Sequence, residues 1–337
     1  MILAFIIDAV IGDVPNSIHP LRWMGNILDG LDRRITRNGR KGTIFKGFLS
    51  YALVLFMFVF VTFTILMLVR TQLAGVHEMN LGILGTTDLG EILWMILCAF
   101  IFKLTFAVFS FRRHCKPIQR DLERGDTEAA AAKTQMIVSR KTKGMDAEHI
   151  ASSCTETISE NYADSVCSPT FYFGLFGMFG AWMFRCGNLM DAMWGYLNDK
   201  YRDLGYFPAK FDDLLGYITA RISIVFIALA SVFVGGSPRK AISCAKAEHG
   251  KTPSPNSGWP MTAAAGALGI SMEKAGEYVM GDGELPSVKD VSRCYVMVEI
   301  AALLFIVLVS LPLYALMGIH IQIYMENAIL ALFEVFV

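Results

Sequence analysis

The sequence GFLSYALVLFMFVFVTFTILMLV, residues 47–69, contains no charged side chain and decides the class of protein. At about 1.5 Å per residue, a helix of this length crosses the roughly 30 Å hydrocarbon core of a bilayer. Further apolar runs cover residues 92–111, 222–234 and 296–317. With 54% apolar and 18% charged residues, the composition predicts an all-α, polytopic membrane protein with a single integral membrane domain over residues 1–337. The formal net charge of zero gives no indication of nucleic-acid binding.

The charges between the apolar runs predict the topology. Residues 33–46 contain six Lys or Arg and no acid, so the positive-inside rule places this loop in the cytoplasm of a multi-pass cell-membrane protein. Lys103 interrupts the run 92–111, where a charge is costly, and we expect it to face the protein interior. The other polar stretches are predicted to be a cytoplasmic helical segment over 112–168, a polar active-site loop over 185–221 and a cytoplasmic loop over 237–293.

An acidic stretch, IASSCTETISENYADSVCSP at residues 150–169, lies in a region without Lys or Arg between Gly144 and Phe184. On a regular helix Glu156, Glu160 and Asp164 share one face, because their spacing is i, i+4 and i+8. Like charges at that spacing destabilise a helix by roughly 0.2–0.5 kcal/mol per pair. A metal ion, another bound cation or arginines from elsewhere in the chain would neutralise this face. A solvated helical surface is the alternative.

A second polar motif, SPNSGWP at residues 254–260, precedes the small-residue stretch MTAAAGALGI. Its two prolines and one glycine impose a fixed turn, and a turn leading into a helix N-terminus is well placed to hold an anion. Gly258 would allow a close approach of backbone or ligand. The alternative is that this loop is simply the entry to a helix.

Several motifs, in their order along the chain, resemble the adenosylcobinamide-phosphate synthase family, the membrane enzymes of cobalamin biosynthesis. The resemblance covers most of the chain. Residues 139–142 read SRKT where the family usually has Ser-Arg-Asp-Thr, so Lys141 departs from the family pattern. The matching stretches are Gly12-Asp13 with His19-Pro20, TETISENYADSVCSP at 155–169, NLMD at 188–191, NDKYRD at 198–203, and SPNSGWP at 254–260 followed by Gly266, Gly269, Tyr278 and Gly281.

The resemblance implies ATP-dependent amide formation between a carboxylate of adenosylcobyric acid and the amine of aminopropanol or its phosphate. A carboxylate is a poor acyl donor until it carries a leaving group. Its activation by ATP needs oxygen ligands for Mg²⁺ and cations for the phosphates. The implied cofactors are therefore ATP and Mg²⁺. The implied partners are a corrinoid, an amino-alcohol phosphate and the lipid bilayer, with a homo-oligomer or other corrinoid-pathway enzymes as further candidates.

The same resemblance assigns the expected site residues, in a wide cleft with residues 139–221 as its floor and 250–281 as its rim. We expect Glu156, Glu160 and Asp164 to bind the metal. The expected catalytic residues are Glu160, Asn161, Arg202 and Asp203. The expected substrate-binding residues are Asp13, His19, Arg140, Asn188, Asp191, Tyr196, Asn198, Lys200, Tyr201, Asp212, Asp213, Arg221, Ser254, Asn256, Ser257, Gly258 and Trp259.

Two other functions compete with this interpretation. A transporter or channel would need ionisable groups deep within its spans, and only Lys103 and Glu299 lie deep in the apolar runs. A non-catalytic scaffold that holds soluble corrinoid enzymes at the membrane would not need the dense Asp, Asn and Arg motifs.

Topology gives the first testable prediction. Counting spans places residues 188–212 outside the cell, but ATP and corrinoid intermediates are cytoplasmic. The glycine-rich stretch 170–187, followed by the charged stretch 185–221, could form a re-entrant pair buried in protein that reconciles the two. We therefore expect 188–212 to face the cytoplasm. An Asn198→Cys variant should resist a membrane-impermeant maleimide in intact cells and react after permeabilisation, with the wild-type chain and its seven cysteines as background. Efficient labelling of intact cells would contradict this topology.

Overall fold

The computed structural model describes residues 1–15, 17–73, 78–80 and 86–336, and its predominantly helical architecture confirms the all-α class. The α-helices are α1 (Ile2–Val10), α2 (Pro20–Arg34), α3 (Arg40–Leu73), α4 (Leu89–Lys103), α5 (Ser110–Glu123), α6 (Thr127–Thr134), α7 (Ala147–Tyr162), α8 (Ser168–Trp194), α9 (Tyr206–Ser231), α10 (Pro238–Glu248), α11 (Gly258–Leu268), α12 (Val288–Phe305), α13 (Leu311–Leu313) and α14 (Ile319–Phe336). π-Helical turns occupy Ala163–Cys167, Ile306–Ser310 and Tyr314–Gly318, and 3₁₀ turns occupy Val232–Val234 and His249–Lys251. The strands are β1 (Glu78–Asn80), β2 (Thr86–Asp88), β3 (Met272–Lys274) and β4 (Tyr278–Met280), which form antiparallel pairs β1–β2 and β3–β4.

Three helical stretches within the described ranges are long and apolar enough to cross a membrane. They are Arg40–Leu73, Tyr206–Val234 and Val288–Leu332, and they contain the predicted runs 47–69, 222–234 and 296–317. These helices support a membrane protein, whereas the number of crossings stays a prediction.

The fourth predicted run, 92–111, is not one continuous helix. Helix α4 ends at Lys103 after 15 residues, and α5 begins at Ser110. A helix of that length is shorter than the roughly 20 residues that a crossing requires. The chain turns directly after Lys103, where the backbone N–H of Thr105 donates to the carbonyl of Phe102. The side chain of Lys103 is bound to acidic partners, which explains why a charge is tolerated here.

The chain forms two compact units. Unit 1 comprises Met1–Phe106, Pro169–Asp212 and Ser310–Val337. Its Lys103 is 3% exposed, and its Nζ lies 3.2 Å from Asp8 and 3.0 Å from Asp13. This is the interior position expected from the sequence. Close packing in unit 1 depends on small residues, since a Cβ atom added at Gly174 would lie 2.9 Å from Leu313 and 3.0 Å from the carbonyl oxygen of Ser310.

Unit 2 comprises Ala107–Ser168 and Asp213–Val309, and helix α7 is its central element. Asp146 is the N-cap residue of this helix, and its carboxylate accepts a hydrogen bond from the backbone N–H of His149 in the first turn. Ile150, Cys154 and Ile158 are fully buried, and they line one face at helical spacing. Around α7 pack α5, α6, α11, α12 and strand β3.

The β3–β4 hairpin is fixed to α7, and helices α10 and α11 pack closely beside it. Ser152 of α7 accepts a 2.8 Å hydrogen bond from the backbone N–H of Glu273, which holds the first hairpin strand. Helix α11 approaches α10 at Gly266, where a Cβ atom would lie 2.4 Å from the carbonyl oxygen of Lys240. The small-residue sequence of α11 therefore serves close helix packing.

Lys103 gives a prediction about stability. Lys103→Met removes the cation from a site that contains the fully buried carboxylate of Asp8. Breaking a buried ion pair from one side costs about 3–5 kcal/mol, so the variant should unfold at a markedly lower temperature in detergent. The double variant Asp8→Asn/Lys103→Met should recover part of this loss because both charges are removed. Equal stability of wild type and Lys103→Met would contradict the buried pairing.

Candidate functional site

A polar cavity of ≈ 340 Å³ lies in unit 2 between the C-terminal half of α7, the loop before α7, the loop before α11 and the β3–β4 hairpin. It brings together five residues predicted from the sequence: Arg140, Glu160, Asn161, Ser254 and Ser257. They come from two separate parts of the chain, so the expected meeting of the acidic stretch with the SPNSGWP loop occurs within this unit. The sequence did not assign site roles to the other polar lining residues, which are Ser139, Thr157, Thr252, Lys274, Glu277 and Tyr278.

Arg140, Glu156 and Tyr278 form a buried hydrogen-bonded cluster at this cavity. The Arg140 guanidinium meets both carboxylate oxygens of Glu156, with Nη1–Oε1 and Nη2–Oε2 distances of 2.8 Å. The Tyr278 hydroxyl donates to Glu156 Oε2 at 2.6 Å. Glu156 is only 1% exposed, and a carboxylate this deeply buried requires polar partners of this kind. An arginine from outside the acidic stretch therefore neutralises the first carboxylate.

The pKa values of Arg140 and Tyr278 reflect this cluster. Burial alone would lower the pKa of Arg140, but its hydrogen bond and attraction to Glu156 outweigh burial and raise it. Burial raises the pKa of Tyr278 far above its ordinary value, and the neighbouring negative charge of Glu156 raises it further. Both groups therefore keep their protons, and they act as fixed donors to Glu156.

Glu160 lines the cavity one turn after Glu156 and has a different environment. Burial raises its pKa, and the charge of Glu156 raises it further, against smaller opposing effects of Lys274 and Arg140. A carboxylate with a raised pKa is a stronger base than an ordinary glutamate. Next to it, Asn161 donates to the carbonyl of Thr157 and accepts from Ser165 at 3.4 Å, so its amide is held in place along the helix.

The predicted metal ligands Glu156, Glu160 and Asp164 have different surroundings, and their role as ligands stays a prediction. Among the residues that the structure describes, no group of three His, Cys, Asp or Glu side chains is arranged to hold a metal ion. Glu156 is engaged by Arg140 and Tyr278, and Asp164 lies in the π-helical turn Ala163–Cys167. A π turn changes the residue spacing of the helix, so the i, i+4, i+8 alignment expected for a regular helix ends before Asp164.

The SPNSGWP loop divides into residues that face the cavity and residues that hold the loop. Ser254 and Ser257 line the cavity. The Ser254 Oγ accepts from the backbone N–H groups of Asn256 and Ser257, at 3.2 and 3.4 Å. These contacts form a turn and leave the Ser254 hydroxyl proton free to donate. A Cβ atom at Gly258 would lie 1.9 Å from the carbonyl oxygen of His249, so the predicted close approach is to backbone.

Asn256, Trp259 and Arg221 fix this loop against α9. The Asn256 amide donates to the carbonyl of Asp213 at 2.8 Å, and its oxygen accepts from Arg221 at 3.3 Å. The Trp259 ring stacks on His249 with 3.8 Å between ring centroids. The contacts of Asn256 and Arg221 hold the loop that carries Ser254 and Ser257, whereas the buried Nε1 of Trp259 has no hydrogen-bond partner among the described residues. Their assignment as substrate-binding residues stays a prediction.

The remaining predicted residues belong to unit 1. Asn188 accepts from Arg185 at 2.9 Å and donates to Asp212 at 3.3 Å. His19 caps α2, because its Nδ1 accepts from the backbone N–H of Leu21 at 3.2 Å. Burial lowers the pKa of His19, and the positive charges of Arg185 and Lys103 lower it further. Asp13 pairs with Lys103.

A second group in unit 1 surrounds Asp32, which the sequence did not single out. Asp32 lies 2.7 Å from Lys200, accepts from the Tyr201 hydroxyl at 3.2 Å and pairs with Arg37. Burial opposes its ionisation, but the hydrogen bonds from Lys200 and Arg37 outweigh burial and lower the pKa of Asp32. Near this group, the Asn198 side chain accepts a hydrogen bond from the backbone N–H of Tyr201, and the ring centroids of Tyr196 and Tyr201 are 6.3 Å apart. Asp203 lies near Arg40 and Arg202. The backbone carbonyl of Asp191 accepts a hydrogen bond from the N–H of Gly195.

Comparison with known proteins identifies the family. A family model described as CobD/Cbib protein matches residues 1–304. The chain belongs to the CobD/Cbib family. It is 32% identical over 311 residues to the probable cobalamin biosynthesis protein CobD of Methanococcus aeolicus, covering 92% of this chain and 96% of that protein. No solved structure matches the chain at a significant level.

Two further CobD relatives give the same result. The probable cobalamin biosynthesis protein CobD of Methanothrix thermoacetophila is 35% identical over 325 residues, with 94% of this chain and 96% of that protein covered. The cobalamin biosynthesis protein CobD of Dehalococcoides mccartyi is 34% identical over 294 residues, with 87% and 89% covered. This family membership supports a role in cobalamin biosynthesis and confirms the family resemblance found from the motifs.

Glu160 gives a prediction about the pH dependence of stability. Its pKa is raised in the folded protein, so the folded state holds the proton more tightly than the unfolded chain. The free energy of unfolding should therefore fall as pH rises from the ordinary glutamate value of about 4.3 to the raised value of the folded state. Glu160→Gln has no carboxylate to titrate at this position, so it should not lose this stability. The difference in free energy of unfolding between Glu160→Gln and wild type should therefore grow as pH rises between the two pKa values.

The measurement is unfolding in detergent at a series of pH values from about 4, near the ordinary pKa of glutamate, upward to about 8. Glu148→Gln, exposed in the first turn of the same helix, is the matched control for removing one carboxylate. A difference between Glu160→Gln and wild type that does not change with pH would contradict the raised pKa.

Proposed function

We propose that this protein catalyses ATP-dependent amide formation in cobalamin biosynthesis, joining adenosylcobyric acid to aminopropanol or its phosphate. The observation that carries the proposal is the polar cavity of unit 2, where a basic carboxylate, two cations and several hydroxyl groups converge. Its volume of ≈ 340 Å³ suits a small polar molecule, at the lower end of typical ligand sites. The amino-alcohol phosphate is the substrate of that size, and a corrinoid is far too large for this cavity.

The lining offers a partner for each end of such a substrate. The phosphate would accept hydrogen bonds from the Ser254 hydroxyl and the Lys274 ammonium, two donors that line the cavity. The ammonium end would lie against Glu160. Lys274 is 2.7 Å from Glu277 without substrate, so a phosphate would compete with Glu277 for this cation.

Glu160 would act as the general base. A protonated amine cannot attack a carbonyl carbon, so one proton must leave before the amide bond forms. The raised pKa of Glu160 makes it a better proton acceptor than an ordinary carboxylate. Asn161 follows Glu160 on α7 and lines the same cavity. It would orient the amine substrate.

ATP would activate the corrinoid carboxylate as an acyl phosphate. A carboxylate oxygen attacks the γ-phosphorus of ATP and ADP leaves. The amine nitrogen then attacks the acyl carbon, and phosphate departs with the original carboxylate oxygen. The sequence contains no recognisable nucleophile–base arrangement of Ser or Cys that would favour an acyl-enzyme instead.

We propose Mg²⁺ as the partner of ATP. Mg²⁺ with nucleotides commonly uses only one or two protein carboxylates, together with phosphate oxygens and water. Mg²⁺ bound together with ATP therefore does not require three protein carboxylates. That the described residues do not form such a group is compatible with this proposal. We propose the cytoplasm as the side on which the site opens, because ATP is found there.

Transport is a weaker candidate because the deep charges have structural partners. Lys103 pairs with Asp8 and Asp13, and Glu299 accepts from Arg112 Nε at 2.8 Å. Paired charges of this kind stabilise packing without requiring a moving ion.

The decisive assay uses the purified full chain with adenosylcobyric acid, aminopropanol phosphate, ATP and Mg²⁺. We expect an amide product by mass, one ATP consumed per amide, and ¹⁸O from the corrinoid carboxylate in the released phosphate. Glu160→Gln should lower kcat by about 10²–10⁴, the range for loss of general-base catalysis. Glu148→Gln is the matched control and should retain activity. Amide formation without ATP would contradict the mechanism, and no amide with any amino alcohol would contradict the function.

A further inference from the structure

The chain between α6 and α7 forms one wall of the polar cavity, through residues 137–140. This wall includes Ser139 and Arg140, the first half of the SRKT motif. It lies outside the helices and strands. Within the part of the chain that the structure describes, residues 138–141 make no backbone–backbone hydrogen bond. The shape of the wall must therefore depend on contacts from side chains.

The side chain of Gln135, directly after α6, supplies these contacts. Its Nε2 donates to the backbone carbonyls of Val138 and Arg140, at 3.2 and 2.9 Å. Its Oε1 accepts from the backbone N–H of Thr142 at 3.2 Å. Because a carbonyl only accepts and a backbone N–H only donates, these partners also fix the orientation of the Gln135 amide. One side chain therefore binds three backbone groups across residues 138–142.

These contacts lie where they control the residues at the cavity. The two carbonyls that Gln135 binds belong to the residue before Ser139 and to the residue after it, Arg140. The Arg140 guanidinium is held separately, by Glu156 and by the carbonyl of Glu273, to which Nη1 donates at 3.3 Å. Arg140 is thus fixed at both ends, and the backbone end depends on Gln135.

Gln135 contributes to the shape of the wall rather than to the core of unit 2. Its side chain is exposed, so water can solvate the backbone groups that its removal would free. The segment also keeps a second anchor, since the hydroxyl of the buried Thr142 donates to the carbonyl of Ala131 at 2.7 Å. Loss of Gln135 should therefore loosen the wall without unfolding the protein.

We propose that Gln135 is a positioning residue, which holds Ser139 and Arg140 in place at the cavity. This inference rests on the proposed function, in which the cavity binds the amino-alcohol phosphate. A wall that is ordered in advance lets the substrate bind without the cost of ordering that segment. Without Gln135, binding of the substrate must also order the wall, so the loss appears in substrate affinity.

The amide assay tests this role with Gln135→Met in the full chain. Methionine has a similar length but no N–H donor, so the variant removes the contacts with little change in size. KM for aminopropanol phosphate should rise about fivefold, the factor for about one neutral hydrogen bond, while kcat stays within about twofold of wild type. A residue with only a structural role would instead reduce the amount of active protein and leave KM unchanged.

Two further variants make the comparison specific. Gln135→Lys retains donors for the carbonyls of Val138 and Arg140, so it should restore most of the lost affinity. Gln119→Met is the matched control, since Gln119 donates to Glu123 within α5 and does not line the cavity. Thermal unfolding in detergent checks that each variant is folded.

Hydrogen–deuterium exchange measures the wall without any reaction. The backbone amides of residues 137–142 should exchange about fivefold faster in Gln135→Met than in wild type, whereas the amides of residues 150–158 in α7 should not change. Unchanged exchange of residues 137–142, an unchanged KM, or an equal rise in KM for Gln119→Met would overturn the proposal. If the wild-type protein forms no amide, the proposed function fails, and the exchange alone decides whether Gln135 holds the wall.

Discussion

The polar site of unit 2 depends on the ion pair between Arg140 and Glu156. Burying a carboxylate to 1% exposure is costly without charged and polar partners, and the Arg140 guanidinium and the Tyr278 hydroxyl are those partners. These three side chains come from the loop before α7, from α7 itself and from strand β4. The same contacts that neutralise Glu156 therefore also hold together three of the four elements around the cavity. The contacts among Arg140, Glu156 and Tyr278 therefore provide both the compensation of the Glu156 charge and part of the shape of the cavity.

Elements that depend only on local sequence pattern could be predicted. Three of the four predicted apolar runs lie within the three candidate spans found among the described residues. The acidic stretch predicted a helix whose negative charges need positive charge from elsewhere in the chain. Arginine was one of the stated ways to supply that charge, and Arg140 does so. The fourth run, residues 92–111, shows the limit of this kind of prediction, because a hydropathy average over a window hides the single charge of Lys103. The polar partners of Lys103, Asp8 and Asp13, lie about 90 residues earlier, so a window along the sequence does not contain them.

The site residues show the same division between local and long-range information. Glu160, Asn161, Ser254 and Ser257 could be predicted because they stand in dense polar motifs. Lys274 and Glu277 lie in a short hairpin whose sequence, MEKAGEYVM at 272–280, resembles an ordinary charged turn. Their place at the cavity results from the contact of Glu273 with Ser152, which joins residues 121 positions apart. The motif residues Asn256 and Trp259 are not among the residues that line this cavity, and Asn256 holds the loop through Asp213 and Arg221. A motif identifies an important segment, but only packing distinguishes the residues that face a ligand from those that support them.

The charges of the cavity constrain what it can bind. Arg140 neutralises Glu156, and Lys274 is paired with Glu277, so Glu160 is the carboxylate at the cavity whose charge these two pairs leave uncompensated. A purely anionic ligand would be repelled by an ionised Glu160, and burial together with the charge of Glu156 raises the pKa of that carboxylate, which shifts its preference toward the protonated form. A ligand with a cationic end would reverse this preference, because its charge would stabilise the ionised carboxylate. Its phosphate end would still find donors that carry no net charge, the serine hydroxyls. A zwitterion satisfies both conditions at once, whereas an isolated anion or cation satisfies one. An amino-alcohol phosphate is therefore a better electrostatic match to this cavity than inorganic phosphate or a simple amine.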